Sequence, residues 1–104
     1  MSAAAVLETE DTPQGTVTLH ISEPFDLQHA PDLRALLLRH IHAGHGPLLV
    51  DLSGTTVRDS TGFATLVSAP VRAARVGRSM RFSGADARTR RLLWRARLGR
   101  LLVD

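Results

Sequence analysis

The residues best suited to do chemistry form a short polar run, Asp59, Ser60, Thr61 and Gly62, that follows the apolar segment Leu48–Leu52. Apolar residues recur with helical spacing after this run, which predicts that a helix begins at Asp59 or Ser60. These residues are Phe63, Leu66, Val67, Val71 and Ala74. The first amides of a helix lack intrahelical partners and carry roughly half a positive charge. They therefore favour either a side-chain oxygen as a cap or a phosphate as a ligand. Taken alone, the run is more typical of a simple cap.

Other reactive groupings fit the sequence less well. His40, His42 and His45 lie close together, but the first two would point about 200° apart on a helix, so we expect no metal site. A hydrolase triad built on Ser60 would need a GxSxG turn, and ATP binding would need a GxxxxGK loop; the sequence has neither. We therefore expect a protein that is not an enzyme and holds no cofactor. If Ser60 is phosphorylated, the kinase must be a partner.

The elements that must position this run can be predicted from periodicity and turn signals. Strands alternating with helices predict an α/β sheet that is mostly parallel after an antiparallel N-terminal hairpin. Five strands are expected, at Ala4–Glu8, Thr16–Ile21, Leu48–Leu52, Met80–Ser83 and Leu101–Val103. Three helices are expected, at Ala30–His42, from about Ser60 onward, and at Asp86–Leu98. The buried stripe of the first helix is expected at Leu33, Leu36, Leu37 and Ile41. The nearly continuous apolar run in the third strand is typical of a sheet buried on both faces, and Pro70 predicts a bend or break in the second helix.

Length and composition agree with one small domain over residues 1–104. The chain has 104 residues, 43% of them hydrophobic, and no cysteine, so we expect one core without disulfides. No apolar run approaches the roughly 18 residues of a membrane helix. We expect a cytoplasmic protein that does not insert into membranes, with residues 1–3 flexible.

Charge divides the chain into two unequal parts. Residues 1–71 contain three arginines and eight acids, net −5, whereas residues 72–104 contain ten arginines and two acids, net +8. The last helix places Trp94 away from the predicted core stripe, near Arg91 and Arg95, and this group is a candidate secondary interaction surface. The alternative is that Trp94 packs on the C-terminal segment and the arginines form a solvated face. With few aromatic residues and no helix-turn-helix pattern, we do not expect direct DNA binding.

Most of the chain, from Gly15 to Val103, resembles the STAS domain family of anti-sigma factor antagonists and their relatives. The resemblance rests on Asp51-Leu52-Ser53, on Asp59-Ser60-Thr61-Gly62-Phe63, and on the upstream pattern ISEPFDLQHAPDLRALL, in which Asp26 occupies the place of the family's turn aspartate. The sequence departs from the family at four places: at Arg58, where an apolar residue is usual; at Glu23-Pro24-Phe25; at Pro70; and at Asp104, where it ends without the further helix of many members.

The resemblance implies that the chain is an anti-sigma factor antagonist. In that role, the unphosphorylated protein binds an anti-sigma factor with serine-kinase activity, and phosphorylation of Ser60 stops binding. The residues implied in partner binding are Asp26, Arg58, Asp59, Thr61, Gly62 and Phe63. The alternative function is a non-switching scaffold or accessory subunit of a lipid transporter or signalling complex. A homodimer is a further association that the sequence leaves open.

Overall fold

The computed structural model describes residues 6–11 and 15–103, which form a four-stranded sheet and three helices. The elements in chain order are β1 Val6–Asp11, β2 Val17–Ile21, α1 Ala30–His42, β3 Leu48–Asp51, α2 Ser60–Arg75, β4 Met80–Ser83, α3 Ala87–Arg95 and a 3-10 turn, Gly99–Leu101. The strands lie side by side in the order β1-β2-β3-β4. β1 is antiparallel to β2, and the other pairs are parallel. The α/β class, the N-terminal hairpin and the three helices are confirmed.

The predicted fifth strand is wrong for the described residues. The chain leaves α3 through Arg97, whose φ of 64° is left-handed, and residues Gly99–Leu101 then turn as a 3-10 helix. Only a single bridge forms beside β4, between Leu102 and Phe82. The helix ends at Arg95, earlier than expected, and the residues after it form this turn and the isolated bridge instead of a strand. In the hairpin, β1 extends to Asp11, beyond the predicted end at Glu8. Residues 1–5, which include the start of the predicted strand and the predicted flexible residues, and the turn residues 12–14 lie outside the described residues.

One face of the sheet is buried, which corrects the expectation of a sheet buried on both faces. Along β3, Leu48 and Val50 are buried, whereas Leu49 and Asp51 are half-buried. This alternation is typical of a sheet that packs its helices on one side. The buried strand residues pack with the predicted stripe of α1, which is confirmed: Leu33, Leu36, Leu37 and Ile41 are all buried.

The second helix meets the core as expected in its first half but through a different face in its second half. Leu66 is buried as expected, but farther along the helix the buried positions are Ala69, Pro70 and Ala73. Val71, predicted to be in the core, is 51% exposed. The helix runs without interruption through Pro70, so the predicted break is wrong, while a bend remains a prediction.

Candidate functional site

The polar run lies where loops from three strands meet, at the carboxyl ends of the parallel strands. The loop after β2 and the loop after β3 form a short parallel bridge between Phe25 and Val57. In this bridge the amide of Phe25 donates to the carbonyl of Thr56 at 2.9 Å, and the amide of Arg58 donates to the carbonyl of Phe25 at 2.9 Å. The loop after β4 joins them because the Thr56 hydroxyl donates to Oδ2 of Asp86 at 2.6 Å. The backbone before α2 is thus held from both sides.

Asp59 is the residue that caps α2 and ties it to the neighbouring loop. Its Oδ1 accepts from the amide of Gly62 at 2.8 Å, the bond expected of an N-cap. Its Oδ2 accepts from the amide of Leu27, in the loop after β2, at 2.9 Å. Ser60 is the first residue of the helix and is exposed. The capping role therefore belongs to Asp59, which leaves the Ser60 hydroxyl at the surface.

Gly62 allows the start of the helix to approach the loop after β2 closely. A Cβ added at Gly62 would overlap the carbonyl of Phe25 and lie 2.6 Å from the amide nitrogen of Asp26. Any other residue at this position would push α2 away from the loop. Gly62 consequently fixes where Ser60 sits relative to that loop.

Asp26, at the position of the turn aspartate, is the centre of a buried polar cluster. Its Oδ1 accepts from the backbone amide of His29 at 2.9 Å and lies 2.7 Å from the Nδ1 atom of the same residue. Hydrogen bonding from the His29 side chain lowers the pKa of Asp26, and the opposing effect of burial is smaller. Sequence reasoning missed His29, although an Asp and a His three residues apart at a helix start are a recognisable signal.

Arg58, the first departure from the family pattern, extends over this cluster. Its Nη1 lies 3.9 Å from Oδ2 of Asp26, and its side chain is 63% exposed. The guanidinium is therefore a surface group next to a buried carboxylate, as the sequence allowed. An ion pair at 3.9 Å whose guanidinium is in solvent contributes little to stability, so Arg58 remains available for other contacts.

The structure divides the predicted site residues into an exposed group and a supporting group. Arg58, Ser60 and Thr61 are exposed. The supporting residues are the half-buried Asp59 and Phe63 and the buried Asp26 and Gly62. The exposed residues offer a hydroxyl at a helix start and, two positions earlier in the chain, an exposed guanidinium. A phosphate is electrostatically tolerated in such a setting.

An apolar groove between α1 and α2 begins next to this exposed group. It has a volume of about 610 Å³ and is lined by Leu27, Ala30, Pro31, Arg34, Ala35, Leu38, Thr61, Ala64, Thr65 and Ser68. Leu27, directly after the turn aspartate, is 68% exposed. An exposed leucine at the mouth of an apolar groove is typical of a protein contact surface.

The histidine and acidic side chains and the helices of the described part of the chain bear on metal binding and membrane insertion. Within it, no three histidine, aspartate or glutamate side chains are grouped so that they could hold a metal ion. His40, from the histidine-rich segment, is half-buried on α1, and burial lowers its pKa. Among the described helices, none has the length and apolar character needed to cross a membrane.

Comparison with solved structures finds several with the same fold. The anti-sigma factor antagonist SpoIIAA in its unphosphorylated form is 16% identical, with a TM-score of 0.70, covering 93% of this chain and 85% of that one. The antisigma-factor antagonist STAS domain from Rhodobacter sphaeroides is 17% identical, with a TM-score of 0.66, covering 79% and 88%. A sulfate transporter family protein from Wolinella succinogenes is 22% identical, with a TM-score of 0.71, covering 89% and 80%.

These likenesses establish the fold, and a sequence comparison establishes the family. No curated protein matches the chain. Residues 8–104 match the family described as Mlab, STAS domain, which is nearly the whole length. The chain therefore belongs to the STAS domain family.

Proposed function

We propose that this STAS domain is an anti-sigma factor antagonist whose binding is switched by phosphorylation of Ser60. The observation that carries the proposal is the placement of Ser60, exposed at the first position of α2 while Asp59 takes the cap. A kinase can reach such a hydroxyl without opening the fold. The likeness to SpoIIAA, whose structure is known both unphosphorylated and phosphorylated, supports this reading.

The setting of Ser60 supports a switch that acts at the binding surface. The amide of Thr61 has no hydrogen-bond partner among the described residues, so a phosphate on Ser60 can accept from it. The added charge of about −1.5 to −2 is therefore tolerated by the helix start but changes the surface that a partner meets. Arg58 and Thr61 contact the partner in this proposal, while Asp26, Asp59, Gly62 and Phe63 hold the surface in place. The partner is an anti-sigma factor with serine-kinase activity.

The experiment is a binding titration with the candidate kinase, combined with mass spectrometry after incubation with ATP. We expect phosphate on Ser60 only, tight binding by wild type and Ser60→Ala, and at least about tenfold weaker binding by Ser60→Asp. Ser53 is an exposed serine in the loop after β3, so Ser53→Ala and Ser53→Asp are matched controls that should bind like wild type. Equal binding by wild type and Ser60→Asp, or phosphate found only elsewhere, contradicts the proposal.

A second candidate function is a non-switching accessory or scaffold domain. The likeness to the sulfate transporter family protein favours it, because there the same fold occurs in a transporter family. On this reading, the apolar groove between α1 and α2 holds a transporter or signalling subunit permanently, and Ser60 is never modified. Co-purification of a stable complex that is unaffected by Ser60→Asp would favour this function over the first.

A further inference from the structure

A second groove lies on the other side of α2, between that helix and the C-terminal turn. It has a volume of about 430 Å³ and is lined by Pro70, Val71, Ala74, Arg75, Leu98 and Arg100. This size falls in the lower part of the roughly 300–1,000 Å³ range of protein binding pockets. Val71 lies about 16 Å along the helix axis from Ser60, at a rise of about 1.5 Å per residue. The groove is therefore separate from the site around Ser60.

The floor of this groove is an apolar stripe that the core does not use. Val71 and Ala74 continue the helical spacing of Val67, which packs against the core, yet both are exposed. The residues that this part of α2 buries are instead Ala69, Pro70 and Ala73, which lie on the adjacent face. Exposed apolar side chains grouped in a concave site are typical of interaction surfaces.

Two arginines that lack a carboxylate partner among the described residues give the rim of the groove a positive charge. Arg75 and Arg100 are both exposed, and neither forms an ion pair with a carboxylate among the described residues. The one acid in residues 72–103 is Asp86, which already accepts from the Thr56 hydroxyl and the amide of Thr89. An occupant must therefore bring its own negative charge.

Trp94 packs on the turn whose residues Leu98 and Arg100 form the C-terminal wall of the groove. Its ring packs on Gly99, where an added Cβ would overlap the indole, and yet Trp94 is 61% exposed. Gly99 lies between Leu98 and Arg100, so the indole rests on the same turn that forms this wall. Tryptophan and arginine are the residues most enriched among the strongest contacts of protein interfaces.

We propose that this groove binds an acidic amphipathic segment of a partner protein. Leucine-like side chains of the segment fill the apolar floor, and its carboxylates face Arg75 and Arg100. The segment binds whether or not Ser60 is modified, so this surface is a second, independent contact.

Trp94 provides a direct readout, because it is the protein's single tryptophan and there is no tyrosine. The probe is a synthetic amphipathic helical peptide with leucine on one face and glutamate on the other. We expect a saturable shift in Trp94 emission that weakens as salt is added. Two control peptides, one with lysine for glutamate and one with serine for leucine, should not produce it.

Two double variants with equal charge change locate the binding. Arg75→Glu/Arg100→Glu should weaken binding at least about tenfold. Arg34→Glu/Arg39→Glu, on α1 and beside the other groove, should leave it within about twofold. All four side chains are exposed, and circular dichroism checks that both variants fold.

Four results would overturn the proposal. They are no saturable shift, an equal shift with a control peptide, equal weakening by both double variants, and a homodimer that only the Arg75→Glu/Arg100→Glu change abolishes. The last result, read by light scattering, would assign the groove to a second copy of the chain. Each can occur with Ser60 switching intact, so the two proposals fail separately.

Discussion

Replacing Asp59 with alanine tests whether this carboxylate holds the loop around Ser60. The substitution removes two hydrogen bonds, one from the amide of Gly62 at 2.8 Å and one from the amide of Leu27 at 2.9 Å. Loss of an N-cap costs about 1 kcal/mol. Loss of a hydrogen bond to a charged group costs about 1.5 kcal/mol, the lower end of its range, because the Leu27 contact is exposed. The free energy of unfolding should therefore fall by about 2–3 kcal/mol.

The expected loss is large enough to measure by thermal or urea unfolding followed by circular dichroism. For a domain of this length, 1 kcal/mol corresponds to about 4–8 °C, so the midpoint should fall by roughly 8–24 °C. Asp59→Asn separates the two bonds, because one amide oxygen can still cap Gly62 while the amide nitrogen cannot accept from Leu27. This variant should lose about half as much stability.

Asp32→Ala is the matched control. Asp32 is also an acid in the first turn of a helix, but it makes no hydrogen bond among the described residues, so its loss should cost less than about 1 kcal/mol. If Asp59→Ala unfolds within about 0.5 kcal/mol of wild type, Asp59 does not hold the site. If Asp59→Ala and Asp59→Asn are equally stable, the cap on Gly62 contributes nothing, and if Asp59→Asn is as stable as wild type, the link to Leu27 contributes nothing.

Three further predictions concern the same loops and the end of α3. Gly62→Ala should lower the free energy of unfolding by about 2 kcal/mol or more in urea titrations, because its Cβ would overlap the carbonyl of Phe25. Arg97→Gly should raise it by about 0.5–1 kcal/mol, because a φ of 64° strains arginine but not glycine; an unchanged value would contradict this. The hydrogen bond from His29 holds the pKa of Asp26 below 3.8. Above the unfolded-state pKa, the ionised carboxylate therefore stabilises the fold, and this stability is lost as the pH falls through the folded-state pKa. Asp26→Asn should therefore lose less stability than wild type on acidification below about pH 4, and parallel curves would refute this.

The sequence predicted the elements that carry strong periodic signals. The α1 stripe and the start of α2 follow from apolar spacing and from the acid before Ser60, and both are confirmed. These signals are local, because a helix face and a cap are set by residues within one or two turns.

The face that α2 buries could not be predicted with the same accuracy. Apolar residues occur on two adjacent faces of its second half, so spacing alone favoured the bulkier Val71 over Ala69 and Ala73. The structure buries the small residues, since they let the helix approach its neighbours closely. Which face is buried depends on tertiary contacts, and the sequence of the helix alone does not specify these contacts.

Arg78 has a structural role that a count of charged residues does not reveal. It belongs to the arginine-rich part of the chain, yet it is buried, with Nη1 donating to the carbonyl of His40 at 2.7 Å and Nε donating to the carbonyl of Gly46 at 2.8 Å. It thus satisfies carbonyls at the end of α1. The two partners lie more than 30 residues away, so no local pattern could separate this arginine from its exposed neighbours.

Asp59, and not Ser60, caps α2, and this determines which properties of the protein a modification of Ser60 changes. Had Ser60 been the cap, a phosphate would have replaced the oxygen that holds α2, and binding and stability would have changed together. Asp59 holds both the helix and the neighbouring loop, so the Ser60 hydroxyl makes no bond on which the fold depends. A phosphate there stands beside the Asp59 carboxylate, but it also meets the helix dipole and the free amide of Thr61, which offset the repulsion. In the proposed switch, the effect of the charge is therefore directed at the partner that binds Arg58 and Thr61.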